Sequence, residues 1–343
     1  MAEDNKKIVL VDAYSQIFRA FYAVKSLSNS KGFPTNALHG FIKILMRLNR
    51  EYPSSHGAVV FDCGRVGFRM ELNPEYKANR KPTPDELKMQ VPPIREFIEA
   101  FGWTLLEECE YEADDLIGAI ARNFDGEVKF LSSDKDLSQL INSKITQLVP
   151  DIKNAFTERT PEKVIEKFGV SADLLIDYLA LLGDSADNIP GAAGIGPKGA
   201  AKILNNYGSL QQIFADPSLV SDEKTRAKLL ENRDLLEKNI ALITLKTDLP
   251  DKFSKLEQIC EKKAIDFAKL FALCDEYELN SIRKDIEKLA KEHNFIPPKA
   301  QQKSNADDLF SNMDDSLFAC SCEAKTEKVA SSEPTYYQAD LFE

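Results

Sequence analysis

Histidine, paired cysteine and long apolar runs are all scarce in this 343-residue chain, and each scarcity excludes something. No apolar run approaches the roughly 20 residues that a membrane-spanning helix needs. The opening Met-Ala-Glu-Asp-Asn-Lys-Lys leads straight into a strand-like run without an apolar signal core, so a cytoplasmic protein is expected. His39, His56 and His293 stand far apart, which argues against a histidine-based metal site. Of the cysteines at 63, 109, 260, 274, 320 and 322, only Cys320 and Cys322 are close, and no second pair completes a zinc site. Reduced, non-catalytic thiols are the expectation.

The net charge of −11 looks wrong for a nucleic-acid binder until it is located. Residues 296–343 carry four Lys against nine Asp or Glu, a net −5 that leaves −6 for the rest. If nine carboxylates belong to one site, the remaining surface comes to about +3, so a local basic face is compatible with the acidic total. The 43% hydrophobic and 29% charged fractions are those of a globular chain long enough for two domains.

Lys7–Asp12 (KIVLVD) reads as a buried strand ending on an acid, and Gly57–Asp62 (GAVVFD) repeats the pattern. Between them, Leu38, Phe41, Ile42, Leu45 and Leu48 have the spacing of an amphipathic helix. Met70–Val91 is polar, basic and proline-containing and reads as an irregular or mobile excursion. Trp103–Leu106 predicts a strand, Glu112–Asn123 a helix and Val128–Ser132 a strand ahead of Asp134. Alternating strands and helices imply an α/β fold with a mostly parallel sheet. From Thr160 the pattern turns helical, broken by the glycines and prolines of 188–200, and 209–290 continues as amphipathic helices. Beyond Pro297-Pro298 periodicity ends, and 296–343 reads as a disordered tail.

Acids recur where the predicted strands end: Asp12, Asp62, and Asp134 with Asp136. In an open α/β sheet those carboxyl ends share one crevice. Glu112, Asp114 and Asp115 open a helix at its positive dipole end. Asp184 and Asp187 lie three apart beside a turn. Alternation in an extended segment places Asp134 and Asp136 on one side and Lys135 on the other. A set made only of carboxylates suits hard cations, magnesium or manganese. Each acid taken alone reads more readily as a helix cap or a solvated turn residue; their recurrence at three strand ends and one helix start leaves both readings open.

Two further segments bear on phosphate. Tyr76-Lys77-Ala78-Asn79-Arg80-Lys81 puts cations on the polar excursion, where they would clamp a phosphate or simply be solvated. Gly191, Gly194, Gly196 and Gly199 with Lys198 lead into a helix, a setting in which backbone N–H groups approach an anion closely. The run lacks the Gly-Lys-Ser/Thr ending of a P-loop and is not a dinucleotide fingerprint.

In order along residues 5–290, these segments resemble the 5′ nuclease domain of bacterial DNA polymerase I and its flap-endonuclease relatives. The carrying motifs are Val11-Asp12, Phe18-Arg19-Ala20-Phe21-Tyr22, Gly32–Ala37, Phe61-Asp62, Tyr76–Arg80, Tyr111–Asp115, Ser133–Leu137, Gly183–Gly191 and Gly194–Lys198. The resemblance implies a PIN-like nuclease domain over 1–170 with an arch or clamp at 70–95. A helix–three-turn–helix DNA-binding region over 171–295 and the tail complete the expected organisation. It also implies a two-metal site for Mg²⁺, with Mn²⁺ as substitute. Asp12, Asp62, Glu112 and Asp114 would form one cluster, Asp134, Asp136, Asp184 and Asp187 the other, with Asp115 supporting either.

By the same resemblance Lys77 and Arg80 contact the scissile phosphate, and Arg19, Tyr22 and Tyr76 lie near the substrate. Gly191, Gly194, Gly196, Lys198 and Lys202 grip the duplex backbone, where relatives hold a potassium ion. The implied activity is structure-specific 5′-3′ exonuclease and 5′-flap cleavage of branched or nicked DNA, by a nucleoid-associated bacterial monomer, in primer removal and repair. No acid of the pattern is missing. The chain is expected to be a stand-alone nuclease or the separated N-terminal piece of a polymerase, with a DNA polymerase as partner. Gln338, Leu341 and Phe342 resemble a sliding-clamp docking peptide. The rival readings are a non-catalytic, structure-specific DNA-binding protein and a phosphoesterase for small molecules or RNA.

Overall fold

The computed structural model describes residues 6–24, 27–64, 67–151 and 155–298. The clamp-like peptide at 338–342 and the tail beyond Pro298 lie outside the described residues. Six strands form the main sheet: β1 (Lys7–Asp12), β2 (His56–Phe61), β3 (Thr104–Glu107), β4 (Glu127–Leu131), β5 (Ile145–Asp151) and β6 (Ala155–Arg159). Their order is β3-β2-β1-β4-β5-β6, parallel throughout except for β6, which is antiparallel to β5. This is the mostly parallel sheet that the alternating pattern predicts.

Period-two alternation sends successive side chains to opposite faces. Val9, Val11, Val59 and Phe61 enter one core, whereas Ile8, Leu10, Ala58 and Val60 enter the other. The first core is covered by α1 (Ala13–Ala23), α2 (Asn36–Glu51) and α5 (Val91–Ala100), together with the late helices α14 (Phe267–Tyr277) and α15 (Asn280–Glu292). Between α2 and α5 come the short α3 (Gly67–Leu72) and α4 (Asp85–Lys88). The second core is covered by α6 (Ala113–Asn123), α7 (Pro161–Phe168), α8 (Leu175–Leu182) and α9 (Pro197–Tyr207). α10 (Leu210–Ala215), α11 (Glu223–Glu231), α12 (Arg233–Ile243) and α13 (Leu256–Cys260) complete it. Both faces of β1 and β2 are therefore dry, which explains why these strands read as unbroken apolar runs. Among the described residues, no helix is long and apolar enough to cross a membrane.

Three expectations need correction. The excursion 70–91 is packed rather than loose: Leu87 is fully buried, Tyr76 and Thr83 nearly so, and α3 and α4 interrupt it. Asp134 and Asp136 do not share one extended segment, because β4 ends at Leu131 and Asp136 opens a 3-10 turn over Asp136–Leu140. Lys135 accordingly turns inward instead of away. Finally, Cys63 and Cys109, expected to be reduced, are joined in a disulfide between the segments that follow β2 and β3.

Candidate metal centre and DNA interface

The strand order reverses between β1 and β4, and the acids gather outside that switch point. Asp12 ends β1 and caps α1 by accepting from the Ser15 N–H at 3.1 Å; its other oxygen accepts from Ser132 Oγ, just past β4, at 2.8 Å. Asp62, one residue past β2, accepts from the Ala113 N–H at 2.8 Å and so binds the N-terminus of α6. Glu112 is the N-cap residue of α6 but leaves the cap unmade, its carboxylate engaged elsewhere. Asp134 accepts from the Asp136 N–H at 2.8 Å, and Asp184 from the Ala186 N–H at 2.8 Å. Asp184 ends the first strand of a two-stranded hairpin, β7 (Gly183–Asp184) and β8 (Ile189–Pro190), and Asp187 lies in the turn between them.

The arch root is stitched to that hairpin. The Lys77 N–H donates to the Asp187 carbonyl at 3.1 Å, Asn79 Nδ2 to the Ser185 carbonyl at 2.7 Å and Asn188 Nδ2 to the Glu75 carbonyl at 2.8 Å. Lys77 Nζ then reaches Glu112 Oε2 at 2.9 Å, Arg80 reaches Asp187 Oδ1 at 2.5 Å and Lys135 reaches Asp184 at 3.0 Å. Tyr76, expected on the substrate side, is only 4% exposed, and its hydroxyl faces Glu112 and Asp187 at 3.2 and 3.3 Å. Arg69, which sequence reasoning missed, is 2% exposed and grips Asp115 with two bonds of 2.6 and 2.7 Å. No motif marks it, because a single Arg in a short helix carries no periodic signal.

Electrostatics binds these acids into one unit. Burial, and then the charge of Asp62, push the Asp12 carboxyl up to about 7. Burial raises Asp62 to about 6 against the pull of Lys77. Asp114 and Asp136 lie well above the usual carboxylate range through burial and the charge of Asp134, and Asp134 is raised by burial and by Asp187 and Asp184. Asp187 is the exception: burial would raise it, but Lys77 and Arg80 outweigh that and hold it low. A cluster that resists its own ionisation fits a bound cation, which would relieve the repulsion. The donors are all carboxylate oxygens, suited to a hard divalent ion, and Asp136 Oδ1 is buried without a hydrogen-bond partner. Among the described residues, no three His, Cys, Asp or Glu stand ready-formed around one point. Three of the acids, Glu112, Asp187 and Asp184, are instead paired with Lys77, Arg80 and Lys135.

The linkage has a definite sign. Asp12 and Asp62 hold protons in the folded chain up to about 7 and 6 but release them near 3.8 when unfolded. Their contribution to stability therefore falls as pH rises from about 4 to 7. Asp187 behaves oppositely, and its contribution is lost only at still lower pH. The expected result is a Mg²⁺-induced rise in melting temperature that is larger at pH 7.5 than at pH 5.5, because protons compete with the ion at the lower pH. Differential scanning fluorimetry in EDTA and in Mg²⁺ measures it. An equal shift at both pH values would contradict the cluster.

Beyond the hairpin the glycines serve geometry. Gly191 passes so close to α8 that a Cβ would lie 2.1 Å from the Leu182 carbonyl oxygen, and Gly194 takes φ +73° in the turn ahead of α9. Gly194, Gly196, Lys198 and Lys202 are exposed, and Lys202, Lys224 and Lys228 line one groove with Gly194. Tyr22 is 50% exposed at the end of α1, stacked on Phe18, and Arg19 is half-buried on the same helix.

Residues 7–169 match the family model described as 5′-3′ exonuclease, N-terminal resolvase-like domain, and residues 170–268 match the model described as 5′-3′ exonuclease, C-terminal SAM fold. The chain belongs to the 5′-3′ exonuclease family. It is 38% identical over 290 residues to the 5′-3′ exonuclease of Aquifex aeolicus, covering 84% of this chain and 97% of that protein. It is 42% identical over 257 residues to Bacillus subtilis DNA polymerase I, covering 73% of this chain but only 29% of the polymerase. Among solved structures, the T5 D15 protein co-crystallised with metal ions superposes with a TM-score of 0.56 at 23% identity, covering 83% of this chain and all of that one. Human GEN1 bound to Holliday junction DNA superposes with a TM-score of 0.56 at 16% identity, covering 84% and 73% of the two chains. At such identities these two likenesses speak for the exonuclease fold alone.

Proposed function

We propose that this exonuclease family member is a Mg²⁺-dependent, structure-specific 5′ nuclease that cleaves flapped, nicked or branched duplex DNA. The observation that carries the reading is the crevice of mutually repelling acids at the switch point, neutralised by Lys77, Arg80 and Lys135. The A. aeolicus relative, named a 5′-3′ exonuclease over nearly its whole length, supports it.

Two divalent ions held by the Asp12–Asp62–Glu112–Asp114 and Asp134–Asp136–Asp184–Asp187 sets would supply Lewis-acid activation of water and charge neutralisation at the leaving oxygen. The rest falls to the protein. Lys77 and Arg80, which pair with Glu112 and Asp187 at the root of the crevice, supply the positive charge that meets the scissile phosphate. Water adds to phosphorus and the bond to the 3′ oxygen breaks, leaving a 5′-phosphate and a 3′-hydroxyl. The exposed Gly194, Gly196 and Lys198 at the N-terminus of α9, with Lys202, meet duplex phosphates, so recognition is of shape and not of base sequence. Primer removal in replication and repair is the process such products serve.

A 5′-labelled flap duplex incubated with Mg²⁺ and then with EDTA tests the reading. Cleavage confined to the Mg²⁺ lane is expected. Tight flap binding with no Mg²⁺-dependent product would establish the non-catalytic DNA-binding alternative instead.

A further inference from the structure

Asp115 sits beside Asp114 in the first turn of α6 and was grouped with the metal-holding acids, yet the structure commits it elsewhere. It is fully buried, and both its oxygens are taken by Arg69, with Oδ1 also accepting from the Lys246 N–H at 2.9 Å. Arg69 has no spare donor direction either. Its Nε donates to the Leu242 carbonyl at 2.9 Å, its Nη2 reaches the Thr244 carbonyl at 3.4 Å and its Nη1 stands 3.3 Å from Glu112 Oε2. Leu242 and Thr244 are at the C-terminal end of α12, where carbonyls lack helical partners and attract a cation. One guanidinium therefore joins the end of α12 in the helical region to the start of α6, and touches Glu112 on Oε2, the same oxygen that Lys77 Nζ reaches.

We propose that Arg69 and Asp115 are a positioning pair for Glu112, and that Asp115 is not itself a metal ligand. The inference rests on the nuclease reading above and deepens it. Glu112 leaves the N-cap bond of its own helix unmade, so its carboxylate is steered by its cationic neighbours. Lys77 and Arg69 converge on Glu112 Oε2, and Arg69 is the one held in place by two backbone carbonyls and by Asp115. A planar fork with two carbonyl anchors holds direction in a way that a single ammonium does not. Arg69 thereby keeps Glu112 aimed into the crevice.

The test uses the full chain with Arg69→Lys, Asp115→Asn and the charge-free double variant Arg69→Met/Asp115→Leu, beside Asp114→Asn. Mn²⁺ binding without DNA is read by calorimetry, kcat and KM on a 5′-flap duplex in Mg²⁺, and folding by thermal melting. The expected result is that Asp115→Asn binds as many Mn²⁺ ions as the unaltered protein, whereas Asp114→Asn loses one or binds at least about tenfold more weakly. Arg69→Lys and Asp115→Asn lower kcat by about 10- to 100-fold with KM within about threefold, the usual effect of removing a residue that orients a ligand. The double variant, which leaves no buried charge unpaired, shows the same loss of kcat while melting cooperatively. Loss of a bound ion in Asp115→Asn, or kcat within about threefold of the unaltered protein in Arg69→Lys, overturns the proposal. If the unaltered protein fails to cleave in Mg²⁺, the functional reading falls and not the pairing.

Discussion

Asp134→Ala is expected to lower Mg²⁺-dependent flap cleavage by about 1000-fold or more while leaving flap binding within about threefold. The magnitude follows from the several kcal/mol that cation stabilisation of a phosphoryl transition state is worth, at 1.36 kcal/mol per factor of ten. Binding is expected to survive because the duplex contacts proposed above fall on Gly194–Lys202, an element distinct from the loop after β4. The same residue makes an opposite prediction for stability. Asp134 is pushed up by burial and by the charges of Asp187 and Asp184, so its ionised form opposes folding at neutral pH. Asp134→Asn keeps an acceptor for the Asp136 N–H and removes only the charge. In EDTA at pH 7.5 it should melt at a higher temperature than the unaltered chain, as expected where repulsion is held for function. Quenched-flow cleavage, filter binding and melting curves read the three quantities. Full activity in Asp134→Ala would sink the metal-cluster assignment.

The sheet and its acids were legible because each carries a local signal. β1 and β2 are unbroken apolar runs that stop on Asp12 and Asp62, and the parallel arrangement brings such ends together without further information. The motif order around Glu112, Asp134 and Asp184 marked the other acids. The partners of those acids were not legible. Lys135 was expected to face away on a strand-like alternation, but β4 ends at Leu131 and the following 3-10 turn rotates it toward Asp184. Arg69 lies 46 residues from Asp115 and 173 from Leu242, and contacts across such separations leave no periodicity. The polar composition of 70–91 suggested mobility because its charges are compensated by acids elsewhere in the chain. A polar segment reads as solvated until its counter-charges are located. The Cys63–Cys109 link was hidden for a related reason, since only the adjacency of β2 and β3 brings the two sulfurs together.

Lys77→Ala should reduce cleavage by about 100- to 1000-fold, the cost of removing one preorganised transition-state donor, with flap binding within about threefold. Lys77 occupies the left-handed backbone region at φ 56°, which costs a non-glycine residue about 1–3 kcal/mol. That strain is held by its N–H bond to Asp187 and it aims the side chain at Glu112. Burial alone would lower the lysine, but Glu112, Tyr76 and Asp187 more than reverse it and hold Lys77 well above its ordinary value. The proposed role is therefore that of a cation that keeps its charge, not of a base that collects a proton. Two consequences separate this role from a general-base role. Lys77→Arg, which keeps the charge, should recover a measurable part of the lost rate, and the pH–rate profile of the unaltered protein should show no limb that disappears in Lys77→Ala. A profile whose neutral-to-basic limb vanishes in Lys77→Ala would show proton transfer by this residue and overturn the assignment. Rates within about threefold of the unaltered protein would remove Lys77 from the site altogether.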